Sequence, residues 1–266
     1  MSEVFKKFAF KYRSYLLLLG IGLGAGFMGG LLGIGGGTVI VPCFIFFLAF
    51  NQKRAHGTSL VVALCIALAG VAMYATHGKI NWWMAIAMTI GGVFGATIGA
   101  KVSAKLRSKT LRKIFAYFLF LVAVYMVYKT FHKIPSSAGH GMDAFELTKA
   151  LVIFATGIVT GFMSALLGIG GGLVMIPALS IFLGVEQVIA QGISLAAMIP
   201  TAFTGILMHN KLGNVDFRVG RWVGFGAMIG SVLGSFLAIG PAEKYLKAIF
   251  AVFLIIIGIL MTRKKD

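Results

Sequence analysis

The chain has 266 residues, 59% of them hydrophobic and 12% charged, with a mean hydropathy of +0.97. A soluble domain keeps about a quarter of its residues charged, so this composition excludes one and describes an all-α, polytopic membrane protein. The net charge of +17 would suggest a nucleic-acid partner in a soluble chain; here it reads as basic loops holding one face of a bilayer, and no nucleic-acid partner is expected.

The N-terminal text "KKFAFKYRSYLLLLG" has the basic-then-apolar form of a signal peptide. No small-x-small cleavage site precedes further apolar sequence, so it reads as an uncleaved first helix. Apolar runs of spanning length follow at Tyr15–Leu32, Thr58–Thr76, Trp82–Ala100, Leu111–Tyr128, Leu147–Leu166 and Tyr245–Met261, each near the ~18 residues that cross a bilayer. Two shorter apolar segments, Thr38–Phe50 and Leu173–Gly184, each follow a run of glycines. Trp82 and Trp83 read as interface anchors. Cys43 and Cys65 lie in apolar runs with neither a disulfide framework nor metal-ligand spacing, and no cofactor or metal is expected.

Residues 26–128 overlie 161–263 at a constant offset of 135, without a gap. Leu31 to Gly37 falls on Leu166 to Gly172 with no mismatch, Pro42 meets Pro177, and Gly70, Gly91, Gly95 and Gly99 meet Gly205, Gly226, Gly230 and Gly234. Chance overlap of two apolar texts matches Leu and Val, not a register of glycines, so the chain is a doubled unit. The division expected is a first transmembrane repeat over 1–129, a polar connector over 130–145 and a second repeat over 146–266.

Five helical segments per half, some short, broken or re-entrant, make the repeat inverted, because an odd number of crossings turns the second half over. That topology places 18 of the 24 basic residues on one side: Lys6, Lys7, Lys11 and Arg13; Lys53 and Arg54; Lys101, Lys105, Arg107, Lys109, Arg112 and Lys113; Lys211, Arg218 and Arg221; and Arg263, Lys264 and Lys265. The positive-inside rule makes that side cytoplasmic, so both termini are expected there, in a cell-membrane protein. Whether the first two segments of each half cross fully or form a re-entrant hairpin leaves these charges where they are.

The repeated "GIGGG" interrupts apolar sequence twice. Non-helical backbone at membrane depth survives only when buried in protein or lining a wet cavity, so Gly35, Gly36 and Gly37, with Gly170, Gly171 and Gly172, mark a pair of broken helices. A helix that restarts there offers free N–H groups and a positive dipole end to an anion, and glycine permits φ > 0, so that successive N–H groups converge. Other glycines, such as Gly22, Gly26 and Gly30, have the small-xxx-small spacing of helix packing. A second matched cluster, "QKRAHGTSL" against "QVIAQGISL", offers Thr58, Ser59 and Ser194 either as helix caps or as hydroxyls for an oxyanion, with His56 and Gln191 one turn away. Pro200 predicts a kink, with Thr201 and Thr204 re-satisfying the freed carbonyl.

None of the seven acidic residues lies well inside an apolar segment. Carboxylates at depth usually mark cation sites or proton relays, so the pattern fits an anionic small-molecule substrate. Any proton coupling falls to His56, His77 or His209; a coupling ion, proton or sodium, and the oligomeric state stay open. No HExxH, GxSxG or intramembrane aspartate pair is present, so no enzyme is expected. The readings left are a secondary transporter and an anion channel of the same architecture.

The doubled G-x-G-G-G with proline five residues on (Gly33 to Pro42, Gly168 to Pro177), together with Gly57–Leu60 and its weaker copy Gly192–Leu195, resembles the sulfite exporter TauE/SafE family over nearly the whole chain. The resemblance implies a permease for sulfite, sulfonates and related sulfur-containing anions, without an ATPase domain of its own.

Overall fold

The computed structural model describes residues 2–103, 147–167, 172–240 and 245–263, with single helical positions at 117, 120 and 124. Among these residues the regular elements are all helices: α1 (Ser2–Leu32), α2 (Gly37–Leu48), α3 (Gln52–Thr76), α4 (Trp82–Ser103), α5 (Leu147–Leu167), α6 (Gly172–Phe182), α7 (Gln187–Lys211), α8 (Phe217–Ile239) and α9 (Leu246–Arg263). Among the described residues four stretches are long and apolar enough to cross a membrane, at Tyr15–Leu32, Lys53–Thr76, Gln187–Lys211 and Phe217–Ile239. The expected segment Leu111–Tyr128 and the connector lie outside the described residues, apart from those single positions.

The helix starts correct one expectation. Thr58, Ser59 and Ser194 do not cap α3 and α7, because those helices begin at Gln52 and Gln187, about two turns earlier. Asn51 does the capping on α3, its Oδ1 accepting from Arg54 N at 2.9 Å. A basic pair such as Lys53-Arg54 does not end a helix when a good N-cap precedes it.

Glycine contacts fix how the halves meet. On α1, Gly22 is pressed against Val223, Gly26 against Ala227 and Gly30 against Ser231 of α8. Between α5 and α4, Gly157 is pressed against Met88 and Gly161 against Gly92. The pairs 22/223 and 157/88 are one contact written twice, since each residue is its counterpart's number shifted by the repeat offset, and the same holds for 26/227 and 161/92. Numbers rise together along both seams, so α1 runs parallel to α8 and α5 parallel to α4. The ladder of small residues lets the backbones approach closely.

Along α3 and α7 the order reverses. Gly57 meets His209, and Gly70 meets Leu195 while Gly205 meets Leu60. The two helices are repeat counterparts yet run antiparallel, so the operation exchanging the halves is a twofold lying across the helix axes. That is an inverted repeat.

The chain turns back inside the protein. Leu32 and Ile34 are fully buried, and Gly36 then lies beside Ala25 O and Gly29, earlier on α1. From there α2 returns to the end where α1 packs Tyr15 on Trp222 of α8, with ring centroids 4.8 Å apart. Phe50, just past α2, lies under the Arg54 guanidinium at 4.6 Å, and Arg54 pairs with Asp216 at the start of α8. Of the two arrangements the loop charges allowed, the first half has the hairpin.

The seam glycines generate a contrast. Gly26→Val drives a side chain into the α8 backbone and should cost several kcal/mol, in the range of ~1–3 or more for overpacking. Gly20 and Gly24 on the same helix have open space around a Cβ, so Gly24→Ala should be neutral or stabilising by up to ~1 kcal/mol through helix propensity. Thermal melts of the three proteins in one detergent check the ordering.

Candidate functional site

The break between α1 and α2 leaves backbone groups without helical partners on both sides: carbonyls at the end of α1, N–H groups at the start of α2. In an apolar interior each must find a partner. The carbonyl side is satisfied by side chains from other helices. Tyr74 on α3 donates its hydroxyl to Gly30 O at 3.0 Å, Ser194 on α7 donates to Gly33 O at 2.9 Å, and Ser235 on α8 reaches Gly30 O at 3.5 Å.

The turn itself uses three glycines with positive φ, Gly33 (69°), Gly35 (67°) and Gly36 (71°). This is the left-handed backbone that glycine tolerates and Ile34 does not supply. Gly36 serves as N-cap of α2 without any side-chain cap, while its carbonyl accepts from Val39 N and Ile40 N at 2.9 Å. One residue into the helix, the Thr38 Oγ1 is buried without a hydrogen-bond partner. Among the described residues, hydroxyls meet the carbonyls at the negative end of the break, while the Thr38 hydroxyl at the positive end meets no partner.

The second break reaches the first. A Cβ on Gly172, the first residue of α6, would stand 2.6 Å from Gly33 O, 2.7 Å from Ile34 Cα and 2.8 Å from Ser194 Oγ. The two glycine elements therefore touch in the interior. Gly170 and Gly171 lie outside the described residues.

The other candidates divide. Gln191 packs its Cβ and Cγ on Gly33, is fully buried, and places Oε1 3.0 Å from the Tyr74 hydroxyl. That hydroxyl has one proton and the amide can be turned end for end, so in either orientation one polar atom of Gln191 is left without a protein partner. Thr58 instead accepts from Asp216 N at 3.0 Å, tying α3 to the loop before α8, and Ser59 donates to His56 O within its own helix. His56 sits in that same first part of α3, where its neighbour Gly57 abuts His209 and Asn214. None of these three touches the described break. Their counterparts by the repeat, Ile193, Ser194 and Gln191, are on α7.

Tyr74 and Met198 are site residues the sequence reading missed. Met198 lays its thioether against Gly35; a methionine in an apolar run carries no signal. Tyr74 was findable as a lone phenol in a spanning segment whose repeat counterpart is His209. The Tyr74–Gln191 pair thus corresponds to His209–His56. The Pro200 hydroxyls also differ from expectation: Thr201 donates to Ala197 O and Met198 O, and Thr204 to Pro200 O and Thr201 O. Neither reaches the Ala196 carbonyl that proline frees.

At the basic end of the molecule, Asp216 caps α8 by accepting from Arg218 N and Val219 N and pairs with Arg54 Nη2 at 2.6 Å. Partial burial pushes its carboxyl up, but the Val219, Arg54 and Arg218 donors outweigh that and hold it below the usual carboxylate range. Among the described residues no cluster of His, Cys, Asp or Glu could hold a metal ion.

Inverted helical halves, helices broken inside the protein and a meeting of the two breaks define a polytopic membrane transport protein. Residues 4–126 and 153–266 match the sulfite exporter TauE/SafE family, and the chain belongs to it. Similar proteins include the probable membrane transporter protein YunE of Bacillus subtilis, 29% identical over 92% of this chain and 96% of that one. Another is a probable membrane transporter protein of Methanocaldococcus jannaschii, 29% identical over 92% and 94%. A third, of Haemophilus influenzae, is 28% identical over 94% and 98%.

Two outcomes follow from the hydrogen bonds. Tyr74→Phe strips the Gly30 carbonyl and the Gln191 amide of a buried partner and should cost ~1–3 kcal/mol, seen as a lower melting temperature, whereas Thr76→Val, at an exposed hydroxyl bonded to its own helix, should cost little. For Asp216→Asn, the wild-type advantage should be present above the free carboxylate pKa of about 3.9 and vanish as pH falls through the lower folded value. Melting-temperature differences measured from pH 7 down to pH 3 should therefore be flat and then close in the acid range.

Proposed function

We propose that the protein is a secondary transporter of small sulfur-containing anions such as sulfite or organosulfonates, and that it binds the anion where the α2 and α6 N-termini meet. The observation that carries this reading is the one-sided satisfaction of the break. Its carbonyls take hydroxyls from Tyr74 and Ser194, while the N–H end has a glycine cap and the buried, unpartnered Thr38 hydroxyl. Uncapped helix N-termini favour negative charge. The family supplies the sulfur chemistry, and the absence of acidic residues deep in the spans supports an anion over a cation.

The two repeats, 1–129 and 146–266, are the units that exchange roles, and the basic end carrying Lys53, Arg54, Lys211, Arg218 and Arg221 faces the cytoplasm of a cell membrane, with both termini. The coupling ion favoured is the proton. His56 and His209 stand at the repeat positions of the hydrogen-bonded Gln191 and Tyr74, which supports a titratable pair where the other half has a neutral one. An anion channel of the same architecture is the alternative.

The test is ligand-induced stabilisation of the purified protein by sulfite, thiosulfate, sulfate, taurine, sulfoacetate and chloride. A ligand that binds only the folded state raises the melting temperature by mass action. One sulfur anion should stabilise the wild type, and Thr38→Val should need about tenfold more of it, the loss of one hydrogen bond to a charged group. Stabilisation by none of the sulfur anions, or an equal response in Thr38→Val, sinks the site. Saturable flux that follows an imposed pH gradient separates the transporter from the channel.

A further inference from the structure

The twofold that relates the halves is obeyed by the backbone seams α1–α8 and α4–α5 but broken at a second pair of seams. Under the repeat, α3 against α8 corresponds to α7 against α4. The first is shut: α3 lies along α8 far more fully than α7 lies along α4. Thr58 bonds Asp216 N, the Cys65 sulfur stands 2.8 Å from where a Cβ on Gly224 would be, Ser231 donates to Ile66 O at 2.9 Å, and a Cβ on Gly70 would stand 3.2 and 3.5 Å from the hydroxyls of Ser231 and Ser235. Ile66, Ser231 and Ser235 are all fully buried.

The second seam is closed at its start, where a Cβ on Gly192 would stand against Lys79 O and 3.0 Å from the Ile80 side chain. Beyond that, a cavity of about 80 Å³ separates the helices, reaching Thr89 and Ala96 on α4 and Ser194, Met198 and Thr201 on α7. Thr201 and Thr204 are exposed, while their repeat counterparts Ile66 and Ala69 are buried. Gly205, the counterpart of Gly70, has Leu60 of α3 as its nearest neighbour.

Phe203 and Leu68, counterparts on the outer face, are both exposed. The cavity also adjoins the proposed site, since Met198 touches Gly35 and Ser194 bonds Gly33 O. Its hydroxyls give their protons to carbonyls: Thr89 to Ala85, Thr160 to Gly157, Thr201 to Ala197. The wall therefore presents lone pairs and thioethers, with no free donors to hold an anion. Its room suits a few waters or one solute of a few heavy atoms.

From this we infer that the α4–α7 and α3–α8 seams are the two gates of the transport path, held here with α4–α7 parted toward the basic end and α3–α8 shut. The other state of the cycle is the same arrangement with the halves exchanged: α7 closes on α4 through Thr201 and Gly205, and α3 parts from α8 at Ile66 and Gly70. The inference rests on the transporter reading above and adds to it which helices move and which side is open.

The test uses full-length protein with Cys43→Ala and Cys65→Ala, reconstituted in oriented vesicles. Thr201→Cys should react with a membrane-impermeant maleimide from the face carrying Lys53 and Lys211, and Ile66→Cys should be protected until the protein is denatured. Separately, Gly224→Cys in protein that keeps Cys65 and carries Cys43→Ala places its Cβ 3.6 Å from that of Cys65, within the ~3.5–4.5 Å reach of a disulfide. Oxidation should cut thiosulfate or sulfite flux more than about tenfold by removing one state, and reduction should restore it, which shows that the variant is folded. Equal labelling of the two positions, or labelling of Thr201→Cys from the opposite face, overturns the inference, as does flux unchanged by the cross-link. If no sulfur anion moves even in wild type, the proposed substrate fails, and the labelling alone decides the gates: sided reaction upholds them, unsided reaction removes them.

Discussion

Everything in this molecule turns on one constraint: a backbone interrupted inside an apolar medium must have its polar groups met by something. Glycine makes the interruption at Gly33–Gly36 sterically cheap, but it supplies no partner for the loose carbonyls and N–H groups. The carbonyls are met by Tyr74, Ser194 and Ser235, one from each of three helices. These hydroxyls do two jobs with one bond, since capping α1 also fixes α3, α7 and α8 around its end. At the positive end Gly36, the N-cap of α2, has no side chain to offer, and the Thr38 hydroxyl is buried without a partner. A break whose negative end is met and whose positive end holds the unpartnered Thr38 hydroxyl suits the proposed anion site.

The glycines away from the break serve a different purpose, and the distinction matters for motion. Along α1–α8 and α4–α5 they let backbones touch, and each of these pairs joins a helix of one half to a helix of the other. Contacts between backbones have no rotamers to change, so such a pair moves as a unit. Helices α3 and α7 cross between them and make their seams with side chains: Cys65, Ile66, Leu195, Thr201. Side-chain seams can open without breaking a helix. The rigid and the separable parts of the molecule are thus written in different residue types.

Much of this was legible in the sequence, and for identifiable reasons. Hydropathy and length fix spanning helices because the bilayer has one thickness, and the glycine register exposed the repeat because glycines at seams cannot drift. The inverted relation followed from loop charge, and the antiparallel α3–α7 contacts bear it out. What stayed hidden was which face of an apolar helix looks inward. In a bilayer both faces are apolar, so the amphipathic signal that orients a soluble helix is missing. Thr58 and Ser194 stand one position off register in the two copies of the same motif, yet one ties a surface loop and the other caps the break. Nothing in the local text separates them. Tyr74 stayed hidden because its partner Gln191 is 117 residues away.

The departures from symmetry carry the last step. Two identical halves related by a twofold would make the inward and outward states equal in energy, and the protein would rest in neither. Here the side chains differ where the backbone does not. Ile66 and Ala69 face Thr201 and Thr204 across the repeat, and the ion pair of Arg54 with Asp216 corresponds to Ile189 and Asn81, which carry no charge. Apolar residues suit a shut seam and hydroxyls an open one, so each difference biases the pair of states in the same sense. Shifting a two-state equilibrium from 1:99 to 99:1 takes only ~5.5 kcal/mol, within reach of a few such exchanges at ~1 kcal/mol apiece. At the proposed site on the twofold axis, a substrate would touch both breaks in either state and contribute little bias of its own. On the proposed cycle the resting side would be set by the sequence differences between the halves, and the substrate's part would be to lower the barrier between states that the side chains have already ranked.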